Sequence, residues 1–230
     1  MKNPYVSAIV AGAGIGKRMG AHVRKPLLTL AGRPILIYTL RNLVRVKTIR
    51  EVIVVVNPND LQLIQKELGR DLTRLRVSAV IAGGPHRCDS VKLGLKHVND
   101  RTDLVLIHDA VRPFAPPKLV RQVIKRAHAT GAAILAAPVI DTVKQARRGR
   151  IADTLDRSKL WLAQTPQAFR RSLIEQAYAR RRPASISDDA QLVERLGKPV
   201  AIVPSTPMNF KITTPDDLEL ARALLGRSQR

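Results

Sequence analysis

The sequence predicts an α/β protein with a Rossmann-like, mostly parallel twisted sheet and helices on both faces. Apolar runs rich in β-branched residues recur without alternation, as in Glu51–Val56 (EVIVVV), which is typical of strands buried on both faces. Segments with helical periodicity separate these runs, and the alternation indicates βαβ units. Polar breaks follow the first, third and fourth predicted strands, at the edge where open α/β sheets bind ligands.

The elements follow in order along the chain. The predicted strands are Val6–Ala11, Glu51–Val56, Leu75–Ala82, Asp103–Ile107, Ala132–Pro138 and Pro199–Pro204. The predicted helices are Arg33–Val46, Leu61–Leu68, Arg87–Val98, Pro116–Ala129, Arg170–Ala179 and Ser187–Leu196, with a last helix from Thr214-Pro215. Prolines near helix starts and apolar residues on one helix face support these assignments, and Ser187 is the expected N-cap of its helix.

Residues 139–164 break the alternation and predict a protruding β-arm within a single domain of 1–230. Short β-type pieces flank a turn at Arg147–Arg150, and the segment holds the only tryptophan, Trp161. Because a hairpin of this size is marginal alone, we expect its apolar residues to pack on a second copy of the chain.

Composition narrows the class of protein. The chain has 230 residues, 45% of them hydrophobic, and no apolar run approaches the roughly 20 residues that a bilayer requires. The N-terminus has no signal-peptide pattern, Cys88 is the only cysteine and no zinc-ligand spacing occurs, so a cytoplasmic protein is expected. A net charge of +22 indicates anionic partners, whereas an aromatic content of 3% argues against nucleic acid as the main ligand.

A glycine-rich loop follows the first strand and is the centre of the predicted site. It carries Gly12, Gly14 and Gly16, followed by Lys17, Arg18, Arg24 and Lys25. Backbone N–H groups backed by cations can hold phosphate. The spacing differs from the dinucleotide fingerprint and from the Walker A loop, but residues 13–19 match the A-G-x-G-x-R-M loop of nucleotidyltransferases. A plain strand-to-helix turn with surface cations is the alternative.

Two further motifs lie at strand ends. In the segment 83–91, Gly83-Gly84 would let a flat ring approach the backbone and Ser90 would offer a hydroxyl, although a simple helix start is the alternative. In the segment 108–113, Asp109 could hold Mg²⁺ directly or through water, and Arg112 could bind a phosphate. Cys88 is interpreted as a packed residue, and His108 as a core histidine.

Weaker signals come later in the chain. They are Asp141-Thr142, Asp156-Arg157, Thr165-Pro166-Gln167 and the segment 209–213. Among them, Lys211 could point into the same crevice.

Taken in order, these motifs resemble the 2-C-methyl-D-erythritol 4-phosphate cytidylyltransferase family of the non-mevalonate isoprenoid pathway. The matching pieces are A-G-x-G-x-R-M with a Lys seven residues past the Arg, G-G-x-x-R-x-D-S-V, H-D-A-x-R-P, D-T, T-x-D-R-x-x-L-W, T-P-Q and N-x-K-x-T-x-P-D-D-L. The chain departs from the usual family residues at Gly12, Pro26, Pro85, Cys88 and Val111.

The resemblance implies a role for each matching position. It implies that Arg18 and Lys25 stabilise the transition state at the CTP α-phosphate. The positions implied to hold the nucleotide are Ala11, Gly12, Ala13, Gly14, Gly84, Ser90 and Ala110. The positions implied to surround methylerythritol phosphate are Asp109, Arg112 and Thr142. Arg157 and Lys211 are implied to position its phosphate, Arg157 from the other subunit of a homodimer.

The residues agree with this chemistry. The reaction would need Mg²⁺, cationic side chains and alignment of the two substrates. A phosphate monoester is roughly a dianion near pH 7 and can attack the α-phosphorus without a general base. Two alternatives stay open. One is a cytidylyltransferase for another polyol phosphate such as ribitol 5-phosphate. The other is a non-catalytic nucleotide- or RNA-binding protein.

Overall fold

A seven-stranded mixed sheet forms the centre of the protein in a computed structural model that describes residues 3–14, 24–181 and 186–227. In chain order the strands are β1 (Val6–Gly12), β2 (Thr29–Leu30), β3 (Arg33–Pro34), β4 (Ile49–Val56), β5 (Val77–Ala82), β6 (Leu104–Asp109), β7 (Ala132–Pro138), β8 (Lys144–Arg147), β9 (Arg150–Thr154), β10 (Trp161–Arg170) and β11 (Ala201–Pro204). The main sheet has the order β11-β7-β10-β6-β1-β4-β5, and every pairing in it is parallel except the two made by β10.

Helices cover both faces of this sheet. They are α1 (Ile35–Val44), α2 (Leu61–Arg74), α3 (Arg87–Leu95), α4 (Pro117–Thr130), α5 (Arg171–Ala179), α6 (Ala190–Glu194) and α7 (Pro215–Arg227). Buried side chains of α1, α2 and α4 pack in one core, and those of α3, α5 and α6 pack in a second core on the opposite face. The α/β class with a mostly parallel sheet and helices on both faces is therefore confirmed.

The burial of the central strands explains their composition. All six residues of β6 are buried, and Val52–Val56 of β4 are buried as well, with successive side chains entering opposite cores. A strand covered on both faces has no solvent side that would require polar residues. Burying one Val, Leu or Ile side chain contributes about 1.5–3 kcal/mol, so these runs supply much of the driving force for folding.

Several element boundaries differ from those predicted. The helix α2 continues six residues past Leu68, because Leu72 still meets the core. Only five residues of the predicted helix Ser187–Leu196 form α6. The N-cap of α6 is Asp189, so the predicted N-cap at Ser187 is wrong. Arg33 and Pro34 pair with β2 and precede α1.

The predicted arm at 139–164 is divided between two structures. A separate hairpin of β8 and β9 turns through Arg148 and Gly149, which both have positive φ (49° and 75°), as in a type I′ turn. From Trp161 onward the chain belongs to β10 and the main sheet. Every residue of β8 and β9 is exposed, including the large apolar side chain of Ile151 at 69%.

None of the helices in the described ranges is long and apolar enough to span a bilayer.

Candidate functional site

A cleft of about 580 Å³ opens where the carboxyl ends of β1, β4, β5 and β6 meet. Its lining residues are Ala11, Gly12, Ala13, Gly14, Pro26, Asn57, Pro58, Gly83, Gly84, Pro85, His86, Arg87, Ser90, Asp109, Val111, Lys211 and Thr213. The first strand, the glycine pair, Asp109 and the Lys211 segment thus meet in one place, although up to 200 positions separate them in the sequence.

The wall nearest β1 is built for close approach of the backbone. A Cβ atom on Gly12 would stand 3.0 Å from the Cβ of Ala110 and 3.2 Å from the Cγ of Pro26, so a larger residue would crowd both. Arg18 lies outside the described residues, as does the side chain of Lys25, whose backbone belongs to a 3₁₀ turn over Lys25–Leu27. The described part of this wall offers backbone groups and small side chains.

The glycine pair at the end of β5 forms the opposite wall. A Cβ atom on Gly83 would lie 2.4 Å from the Cβ of Ala13 and 2.7 Å from the Oγ of Ser90, distances that no side chain could accommodate without rearrangement. The N–H of Gly84 donates to the Oγ of Ser90 at 3.1 Å. The buried hydroxyl of Ser90 therefore also fixes the shape of this wall.

Asp109 accepts hydrogen bonds from three cationic side chains, although it is only 5% exposed. Its Oδ1 lies 3.1 Å from the Nε of Arg87, and its Oδ2 lies 2.9 Å from the Nζ of Lys211 and 3.5 Å from the Nε of Arg112. Burial alone would raise the pKa of Asp109, but the charges of Arg87, Lys211 and Arg112 outweigh burial and hold that pKa well below its usual range. Asp109 is therefore an anion at any physiological pH.

A relay of hydrogen bonds fixes the backbone of Asp109. Its N–H donates to the Oγ1 of Thr165 at 3.0 Å, and this oxygen lies 2.9 Å from the Nδ1 of His108. The other ring nitrogen of His108, Nε2, lies 3.1 Å from the carbonyl oxygen of Arg112, so Nε2 carries the proton and Nδ1 accepts from Thr165. Burial lowers the pKa of His108 to about 4, despite the neighbouring charge of Asp109. His108 is thus neutral, fully hydrogen-bonded and unsuited to act as a general base.

Arg87 also lines the cleft, although it is not among the site residues predicted from the sequence. It is the first residue of α3, its Nη1 lies 2.7 Å from the Oδ2 of Asp189, and its Nη2 has no partner among the described residues. Burial alone would lower the pKa of Arg87, but Asp189 and Asp109 outweigh burial and raise that pKa above its usual value. The arginine of the G-G-x-x-R motif was a visible signal, whereas nothing in the sequence linked it to Asp189.

Four predicted residues do not line the cleft of a single chain. Ala110 is fully buried beneath it, and its N–H donates to the carbonyl oxygen of Ala11. Arg112 lies behind Asp109, and its Nη1 donates to the carbonyl oxygen of Asn209 at 2.6 Å. Thr142 and Arg157 are exposed residues of the arm region, where Arg157 donates to the carbonyl oxygen of Ile140.

The donor set of the cleft does not fit a metal ion held by the protein alone. Asp109 is the one carboxylate among the described residues that line the cleft, and both of its oxygens already face cations. No group of three or more His, Cys, Asp or Glu residues in the described ranges has the geometry of a metal site. A divalent ion would fit here only if phosphate oxygens supplied most of its ligands.

The cleft combines a cradle for backbone contacts with fixed positive charge. Lys211 has a side chain that is 35% exposed and can reach a ligand, while Arg87 and Arg112 also pair with Asp109. No His/Asp dyad or nucleophilic serine is assembled among the described lining residues. Such a site suits a reaction between two phosphorylated molecules that needs alignment and charge neutralisation.

Comparisons with known proteins agree with this geometry. The family described as IspD, 2-C-methyl-D-erythritol 4-phosphate cytidylyltransferase, matches residues 6–227. The chain is 44% identical over 229 residues to the 2-C-methyl-D-erythritol 4-phosphate cytidylyltransferase of Syntrophus aciditrophicus, with 98% of each chain covered. It is 43% identical to the enzyme of the same name from Pelotomaculum thermopropionicum, with 97% and 95% covered.

Solved structures show the same relationship. A 4-diphosphocytidyl-2C-methyl-D-erythritol synthase from Anaerococcus prevotii superposes with a TM-score of 0.84 at 32% identity, covering 98% of this chain and 100% of that one. The enzyme from Thermus thermophilus superposes with a TM-score of 0.78 at 36% identity, covering 95% and 97%. The chain therefore belongs to the 2-C-methyl-D-erythritol 4-phosphate cytidylyltransferase family.

Proposed function

We propose that this protein transfers the cytidylyl group of CTP to 2-C-methyl-D-erythritol 4-phosphate. The products are 4-diphosphocytidyl-2-C-methyl-D-erythritol and pyrophosphate. The observation that carries the proposal is the meeting of the glycine walls with Asp109 and Lys211 in one cleft, in a chain that matches the family over nearly its whole length.

The reaction is an in-line displacement at the α-phosphorus of CTP. An oxygen of the methylerythritol phosphate forms the new P–O bond, and the bond to the pyrophosphate leaving group breaks. The attacking phosphate is already roughly a dianion near pH 7, so no proton has to be removed by the protein. This agrees with a buried His108 whose pKa is about 4 and whose two nitrogens are both engaged.

The chain's own residues bind and orient the two substrates. The small residues Ala11–Gly14 and the pair Gly83-Gly84 leave room for the nucleotide, and Lys211 meets the phosphate of the second substrate. Arg18 and Lys25 are proposed to neutralise the charge that develops at the α-phosphate, as their positions in the loop motif suggest.

We propose that Mg²⁺ enters with the phosphates of CTP and is not held by the protein alone. Bound there, the ion would offset phosphate charge and orient the leaving group. This agrees with the single carboxylate of the cleft, Asp109, which faces three cations and has little remaining attraction for a divalent ion. Any contact of Asp109 with the ion would be made through water.

We propose that the protein is a homodimer whose arms reach the neighbouring site. Three large apolar side chains of the arm region are well exposed, namely Ile140 at 66%, Ile151 at 69% and Leu162 at 57%, and a second copy would cover them. Arg157 does not line the cleft of its own chain, which suits a role in the cleft of the partner. We also place the protein in the cytoplasm, where nucleoside triphosphates are made.

The test is pyrophosphate release with CTP and Mg²⁺, with methylerythritol phosphate and ribitol 5-phosphate in parallel. Release with methylerythritol phosphate alone is expected. Release with ribitol phosphate alone would replace the substrate, and silence with both would favour a binding protein. Within the same assay, Arg18→Ala and Arg157→Ala should each lose most turnover. The exposed Lys159, two residues from Arg157, supplies the matched control Lys159→Ala.

Mixing tests the dimer. Arg18→Ala and Arg157→Ala subunits should together regain part of the activity, because a hybrid dimer holds one site with both arginines. No recovery on mixing, with dimers present by sedimentation, would contradict action across the interface.

A further inference from the structure

Arg87 connects the cleft to a carboxylate that lies outside it. The guanidinium bridges Asp109, through Nε at 3.1 Å, and Asp189, through Nη1 at 2.7 Å. Asp189 is 1% exposed, stands at the N-cap of α6 and does not line the cleft. The buried Asp189, outside the cleft, is thus closer to the guanidinium of Arg87 than Asp109 is.

Tyr178 fixes the orientation of Asp189. The phenol of Tyr178, on α5, donates to the Oδ1 of Asp189 at 2.5 Å, and the Oδ2 accepts from Arg87. Burial first, and then the charge of Asp189, raise the pKa of Tyr178, so the phenol keeps its proton. Both carboxylate oxygens are therefore committed to donors from different elements, α3 and α5.

The two carboxylate partners of Arg87 differ in whether a ligand in the cleft can contact them. Asp109 lines the cleft, so a hydroxyl group of a substrate can compete for its oxygens, whereas Asp189 is out of reach. If Asp109 were the only partner, such competition would leave a mostly buried guanidinium unpaired, at a high cost. Because Asp189 is the closer partner, Arg87 stays neutralised while Asp109 exchanges one donor for another.

We propose that Asp189, held by Tyr178, is a positioning residue for the polyol substrate. Asp189 keeps the guanidinium of Arg87 paired and in place. Asp109 is then free to accept a hydrogen bond from a hydroxyl of the polyol phosphate, while the phosphate of the same substrate meets Lys211. This inference rests on the proposed function and adds a residue that acts on the substrate through Arg87.

Asp189→Asn tests the inference with little change in shape. The amide can still accept from Arg87 and donate to the phenol oxygen, but the charge that neutralises Arg87 is lost. Arg87 then binds Asp109 more tightly, so the KM for methylerythritol phosphate should rise about tenfold, with kcat and the KM for CTP nearly unchanged. The matched control is Asp188→Asn, since Asp188 bonds to Gln167 and Gln191 at the same helix end and does not contact Arg87.

A double-mutant cycle separates positioning from simple stability. In an Arg87→Gln background, Asp189→Asn should change the KM by less than about twofold, because residues that act through one contact are not additive. The inference is overturned if the full effect persists without Arg87, or if Asp189→Asn equals Asp188→Asn. Should Asp189→Asn fail to fold, Tyr178→Phe decides: a rise in the same KM supports the inference, and an unchanged KM overturns it.

The wild-type protein separates this inference from the proposed function. Wild-type turnover of methylerythritol phosphate with no selective effect of Asp189→Asn defeats the inference alone. A wild-type protein that neither binds nor converts methylerythritol phosphate defeats both.

Discussion

Thr165→Val should destabilise the protein through a single oxygen atom. The Oγ1 of Thr165 accepts from the N–H of Asp109 at 3.0 Å and lies 2.9 Å from the Nδ1 of His108. All three residues are buried, at 4%, 5% and 1% exposed. Valine has nearly the same volume and suits a strand, so the substitution removes the hydroxyl without opening a cavity.

The magnitude follows from the two groups left without partners. A buried donor or acceptor that loses its partner costs about 1–3 kcal/mol, so an N–H and a ring nitrogen together predict a loss of about 2–6 kcal/mol. That is a large part of the roughly 5–15 kcal/mol by which a domain is stable. The backbone of Asp109 would also lose its anchor, so kcat/KM should fall.

Urea unfolding followed by circular dichroism measures this loss, with Thr165→Ser as the control. Serine keeps the oxygen and should stay within about 1 kcal/mol of the wild type. If valine and serine variants have unfolding free energies within about 0.5 kcal/mol of each other, the hydrogen-bonded relay does not stabilise the site and the reasoning fails.

Four further predictions concern charge and packing. The pKa of His108 is about 4 in the fold against an ordinary 6.5, so stability should be flat above pH 6.5 and fall by about 3 kcal/mol as the pH drops to 4, less steeply in His108→Gln. Gly94→Ala should cost about 1–3 kcal/mol in urea unfolding, because its Cβ would stand 2.7 Å from a core isoleucine methyl. Gly69→Ala, with no atom within 4 Å of its Cβ, should instead stabilise by up to about 1 kcal/mol. Lys211→Gln should lower kcat/KM for the polyol phosphate by at least about 30-fold with little change in thermal midpoint, and an unchanged kcat/KM would contradict its assigned role.

The fold was predictable because its strands are local signals. A run such as Glu51–Val56 identifies a doubly covered strand from composition alone, and glycines at strand ends identify the ligand edge. The helix boundaries at Leu68 and Ser187 were wrong because distant packing decided them. Leu72 extends α2 by meeting the core, and Asp189 takes the N-cap position.

Site residues could be predicted only where a short local motif contains them. Asp109 follows a buried strand, and Lys211 lies in a segment just before a helix, so both were visible as candidates. The bond from Arg87 to Asp189 joins positions 102 residues apart, and no local pattern specifies such a pair. The roles of Arg18 and Lys25 remain predictions, since the structure describes neither side chain.

The cation cluster explains why a cleft for two anionic substrates contains a buried carboxylate. Three positive side chains placed together without a counter-ion would repel one another and oppose folding. Asp109 offsets that repulsion and fixes Lys211 at 2.9 Å, so the positive charge is in position before substrate arrives. In the proposed function, the phosphate of the second substrate would then approach a Lys211 side chain that is already ordered. Such preorganisation accelerates reactions between charged groups. In this arrangement the carboxylate contributes by holding cations, which is also why its two oxygens are poorly suited to bind a metal ion directly.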